Sequence, residues 1–130
     1  AIAAAAVTGM LAGKWLTSRA YREPPKVFAL VIKLRIAPGK VQEFLDHFAP
    51  LAEHVKANEP YCYSYEAAVS DKDENVVLIY ERYRSKEDLL DPHQKSEPFI
   101  KFKEWMNSAN IVIEKDGMSY IETNIGYMHK

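Results

Sequence analysis

The sequence predicts an α+β domain over residues 27–130, a ferredoxin-like β-α-β-β-α-β chain with one open antiparallel sheet, preceded by an apolar N-terminal helix. Three observations predict it. Apolar residues alternate with a period of two in stretches beginning at Val27, Tyr61 and Val76. Between and after them, apolar residues recur with helical spacing. Turn-forming clusters, Pro38-Gly39 and Asp71-Lys-Asp-Glu-Asn75, separate these stretches.

Residues 1–20 read as a helix for a membrane. Ala1 to Gly13 is an unbroken, weakly apolar run, closed by Lys14, Trp15 and Leu16. Sixteen helical residues span roughly 24 Å, short of a hydrocarbon core of roughly 30 Å. Trp15 stands where an interfacial aromatic belongs, with Lys14, Arg19 and Arg22 on one flank only. Ala5, Gly9 and Gly13 put small residues at every fourth position, which lets helices approach closely. The expectation is an anchor in a membrane or membrane-protein complex, in a mitochondrion or plastid; the other reading is a remnant of a targeting peptide. Residues 21–26, with Pro24-Pro25, read as a stiff linker.

Val27–Ile36 places Phe28, Leu30, Ile32, Leu34 and Ile36 on one face of a strand, with Val27, Ala29 and Val31 on the other. Val41, Phe44, Leu45, Phe48, Leu51 and Val55 form the stripe of a helix over about 40–57, which Pro50 is expected to kink. Tyr61–Ser70 reads as a strand with Tyr61, Tyr63 and Tyr65 in one row, and Val76–Tyr83 as its partner. Ser85 and Asp88 fit the start of a helix. Asp91-Pro92 and Ser96-Glu-Pro98 each read as a restart, before the stripe Phe99, Phe102 and Met106. Ile111–Glu114 then forms a strand, Asp116-Gly117 signals a hairpin, and Met118–Thr123 returns. Two helices cover only one face of such a sheet. The face with Val76, Leu78 and Tyr80 therefore awaits a second copy or another protein.

Composition excludes several classes. Residues 1–26 carry a net charge of +3 and the remainder −4, so nothing points to nucleic acid. A single cysteine, Cys62, excludes an internal disulfide and a multi-cysteine metal site. His47 and His54 lie seven apart, the wrong spacing for zinc, and read as solvated. No glycine-rich phosphate loop or dinucleotide fingerprint is present, so no cofactor is expected.

Four strings in order resemble the antibiotic biosynthesis monooxygenase family: Pro38-Gly39-Lys40 with Phe44, Asn58-Glu59-Pro60 with Tyr65, Tyr80-Glu81-Arg82-Tyr83, and His93-Gln-Lys-Ser96-Glu-Pro98-Phe99. Tyr61 replaces the family's usual glycine in the second string. The resemblance spans about residues 27–114 and implies a dimeric α/β barrel. Similar proteins oxidise quinols or polycyclic phenols with O₂ and no cofactor, degrade haem, or isomerise small phosphorylated signals. His93, at the family's recurrent histidine, is the first candidate as a base, facing a pocket; its other reading is a pin that fastens a broken helix. Glu81, sharing a strand face with Val77 and Ile79, is expected to bond His93, orient a substrate or pair with an arginine. Tyr65 is the candidate pocket wall. Two functions follow. One is a cofactor-independent monooxygenase for a small aromatic or quinol. The other is a non-catalytic accessory subunit, tethered by residues 1–20 to a larger membrane complex.

Overall fold

The computed structural model describes residues 26–128. The anchor and linker assigned to residues 1–25 therefore lie outside the described residues. Among the described residues, no helix is long and apolar enough to cross a membrane.

The alternating stretches form strands β1 (Phe28–Ile36), β2 (Cys62–Val69), β3 (Val76–Tyr83) and β4 (Val112–Ile121). The sheet runs in the order β2-β3-β1-β4, with every neighbouring pair antiparallel. Helix α1 (Val41–Asn58) joins β1 to β2; a short helix α2 (Lys86–Asp88), a π turn (Leu89–His93) and helix α3 (Glu97–Ala109) join β3 to β4. This is the expected ferredoxin-like order, with both long helices packed on one sheet face.

The core lies in that layer. Phe44 meets Phe48 and Phe102 at ring distances of 6.1 and 5.7 Å, and Phe48 stacks on Tyr65 at 5.2 Å. Leu34, Ile36, Val77 and Ile79 supply the sheet side. Each such side chain, once buried, contributes about 1.5–3 kcal/mol.

Helix α1 continues through Pro50, as one helix. Pro50 is exposed, so the carbonyl left without its donor one turn earlier faces water. Two local expectations are corrected. Asp116-Gly117 makes no hairpin. β4 runs straight through it, pairing Asp116 with Lys33 and Gly117 with Ile32, because β1 offers a ladder nine residues long. The tyrosine row is broken by a bulge in which Cys62 and Ser64 face consecutive residues of β3, Tyr83 and Arg82. Tyr65 stays inside while Tyr63 turns outward, half exposed. His47 is exposed, as expected, and stacks face to face on Trp105, ring centroids 3.7 Å apart.

Candidate functional site

The site begins at a break in helical geometry. Ser85 caps α2, its hydroxyl accepting from the Asp88 N–H, and Arg84 forks onto the Asp88 carboxylate at 3.0 and 2.8 Å. An α-helix continuing from here would need an N–H at residue 92, and Pro92 has none. The chain widens to a π turn, closed by the Gln94 N–H on the Leu89 carbonyl at 3.0 Å. The expected restart at Asp91-Pro92 is thus a π turn, and the true restart is at Ser96, whose hydroxyl accepts from the Phe99 N–H.

The π turn aims His93 inward, where it is fully buried. Its Nδ1 lies 2.9 and 3.2 Å from the two carboxylate oxygens of Glu59, itself only 3% exposed at the C-terminal end of α1. The Tyr61 hydroxyl donates to the same carboxylate at 2.9 Å. Burial, first of all, holds the imidazole below the usual histidine range, against the opposing pull of Glu59. A neutral ring that donates from Nδ1 keeps its lone pair on Nε2, and Nε2 is buried with no hydrogen-bond partner among the described residues.

Glu81 forms a second buried carboxylate. It faces inward from β3, 4% exposed, and accepts from the Tyr83 hydroxyl at 2.6 Å. Burial pushes its carboxyl up to about 7, with the Tyr83 hydrogen bond opposing. The expected bond to His93 is not formed: Glu59 is the carboxylate on the imidazole, and Glu81 bonds Tyr83 instead. Nor does it pair with an arginine: Arg82, its neighbour, points the other way and forks onto Glu122 at 2.5 and 2.7 Å.

A cavity of about 320 Å³ lies between α3 and the inner face of β1 and β4. Ile32, Leu34, Phe99, Phe102 and Met106 make its walls; Glu81, Gln94, Lys103, Lys115 and Ser119 supply the polar groups. Tyr65 lines it too, its hydroxyl raised well above the usual tyrosine range by burial. His93 does not line it. The imidazole stands behind the wall, 5.2 Å from the Tyr65 ring and 4.9 Å from that of Phe99. Of the three candidates, then, the structure brings Glu81 and Tyr65 to the cavity and leaves His93 one ring behind. Among the described residues, no three His, Cys, Asp or Glu side chains gather as a metal site.

Comparison with known proteins bears on the same stretch. The sequence profile described as antibiotic biosynthesis monooxygenase matches residues 27–105, which hold the buried Glu59–His93 pair, Glu81 and most of the cavity wall. The chain belongs to the antibiotic biosynthesis monooxygenase family. One solved member, from Caulobacter crescentus CB15 and provisionally assigned as such a monooxygenase, is 27% identical, with a TM-score of 0.70 over 78% of this chain and 93% of its own. Proteins of the same provisional assignment from Nitrosomonas europaea (16% identical, TM-score 0.70, 81% of this chain and 97% of that one) and Bacteroides thetaiotaomicron VPI-5482 (18%, 0.71, 83% and 100%) share the fold. No curated protein sequence matches the chain. Within this antibiotic biosynthesis monooxygenase domain, sequence reasoning missed Glu59, Tyr83, Lys103 and Lys115. Glu59 and Tyr83 carried a signal, each standing in a family string, and Tyr83 also alternates with Glu81 on one strand face. Lys103 and Lys115 become visible only when strand register and the helix face bring them to one place.

Proposed function

We propose that the cavity binds a small phenol or quinol and that the protein oxidises it with O₂, Glu81 accepting the phenolic proton. The observation that carries this reading is a carboxyl group with a pKa of about 7 lining an apolar cavity. A base poised near neutral pH, itself buried beside apolar walls, is what proton removal from a phenol requires. Loss of that proton makes the ring electron-rich. The phenolate then passes an electron to O₂, a ring C–O bond forms, and the O–O bond breaks with release of water. One phenol and one O₂ give one quinone and one H₂O, so atoms and electrons balance.

Tyr65 offers the ring face against which the substrate packs. His93 acts as a positioning residue: held by Glu59, it packs on Tyr65 and, at 5.5 Å, on Tyr83, whose hydroxyl sets Glu81. Oxygen uptake with 1-naphthol and a hydroquinone series tests the reading. Glu81→Gln should lower turnover by at least about 100-fold, the bottom of the range for general-base catalysis. A larger loss in His93→Asn than in Glu81→Gln would instead make His93 the base.

The seclusion of His93 favours a second reading, a non-catalytic accessory domain in which the Glu59–His93 pair only fastens the π turn to α1. No O₂ uptake by the wild-type chain would support it. Both readings include self-association across the outer sheet face, where Leu78, Met118 and Tyr120 are exposed.

A further inference from the structure

Lys103, half-buried, and Lys115, exposed, both line the cavity. Phe99 is followed three and four residues on by Phe102 and Lys103, and these four and three residues on by Met106, so Lys103 sits on the cavity-facing stripe of α3. Lys115, Gly117 and Ser119 alternate along the inner face of β4, pairing with Leu34, Ile32 and Leu30. Two cations from different elements thus converge on one rim of an otherwise apolar cavity. Three lysines in or beside the helices pair with acids a turn away: Lys40–Glu43, Lys95–Asp91 and Lys101–Glu97. Neither cavity lysine has such a partner among the described residues. Glu81 lies in the row of Leu30 and Ser119, four residue pairs along the sheet from Lys115, and is already engaged by Tyr83. Bringing two ammonium groups together without an acid works against stability, and Lys115 is held below the usual lysine range by burial and by Lys103.

We propose that Lys103 and Lys115 receive an anionic group of the ligand, so that the cavity selects an aromatic acid with its ring among Phe99, Phe102 and Ile32. The arrangement has two poles. A carboxylate held between the lysines leaves the far side of the ring pointing along the sheet toward Glu81, where a hydroxyl would be deprotonated. This rests on the cavity being the substrate site, and it narrows the substrate from any phenol to one carrying a carboxylate.

Matched probes test it without turnover. Binding of 6-hydroxy-2-naphthoate, whose carboxylate and hydroxyl lie at opposite ends of the ring system, and of 2-naphthol, which lacks only the carboxylate, is measured calorimetrically on the full 130-residue chain. The acid should bind about tenfold tighter, as expected for one charge-assisted contact. The Lys103→Gln, Lys115→Gln double variant should bind both ligands equally, while the Lys→Arg pair keeps the preference. Circular dichroism melting of each variant confirms that the fold is retained. Equal affinity in the wild type, or a preference that survives in the glutamine pair, would overturn the inference and leave the oxidase reading intact. Failure of both probes to bind would overturn the ligand cavity itself. A preserved preference with no oxygen uptake would sustain the inference and refute the oxidase reading.

Discussion

Glu81 and His93 are both buried, and their titrations should pull stability in opposite directions. Glu81 is raised to about 7 from an ordinary 4.5, so between those values the folded chain holds a proton that the unfolded chain has lost. Its contribution is complete below about pH 4.5 and is lost as the pH rises through 7. His93 is depressed below 6.5, so the unfolded chain protonates first on acidification. That contribution is complete above about pH 6.5 and is lost as the pH falls. Glu81→Gln should therefore stabilise the protein more at pH 8 than at pH 4.5, by roughly 3 kcal/mol for a shift of this size. Urea unfolding at the two values checks it, and an equal effect at both would contradict the assigned direction. His93 calls for a careful substitution. The Glu59 carboxylate against it is buried. His93→Ala should lose about 2–4 kcal/mol, read as a fall in the urea midpoint, from the charged hydrogen bond and the void. His93→Asn, which keeps an N–H for Glu59, should lose less. The identity of Glu81 as an inward carboxylate was legible from alternation with Val77 and Ile79. The partner of His93 was not, because Glu59 lies 34 residues away and only the packing of α1 against the π turn brings it in.

Strand β4 shows how far local signals reach. Asp-Gly is a strong hairpin signal, yet pairing with β1 from Phe28 to Arg35 outweighs it, and Gly117 has no left-handed backbone. A methyl group at Gly117 would meet only the Ile32 side chain, at 3.9 Å, an ordinary contact. Gly117→Ala should accordingly raise stability by about 0.5–1 kcal/mol, since alanine has less freedom to lose on folding. A clear fall in the urea midpoint would mean that the glycine serves the backbone. Serving the cavity is the other use of a strand glycine, and Gly117 does line it. The order of elements was legible throughout because strand and helix periods differ sharply: β1, α1 and β3 are each recovered within a few residues. What escaped were single-residue irregularities. The bulge at Cys62–Ser64 and the π turn around Pro92 each shift one residue against the regular period, and no periodicity in the sequence marks them.

At the scale of the whole molecule, the helices cover one sheet face and leave the other with exposed Leu78, Met118 and Tyr120. The family's solved relatives share this open architecture. The expected outcome is a dimer at micromolar concentration by light scattering, with Leu78→Glu/Met118→Glu returning a monomer of unchanged melting behaviour. A wild-type monomer would mean that a different surface or partner covers the sheet. The other face holds the claim that matters most: a carboxyl group poised near neutrality in an apolar cavity, set by Tyr83 and backed by the Glu59–His93 pair. The most direct test is the pH dependence of O₂ uptake by the wild type and Glu81→Gln, with 1-naphthol and 6-hydroxy-2-naphthoate as substrates. The wild-type rate should rise with pH through about 7 as Glu81 loses its proton, and the glutamine variant should run at least about 100-fold slower. Wild-type uptake with no inflection near 7, or a glutamine variant as fast as the wild type, would contradict it.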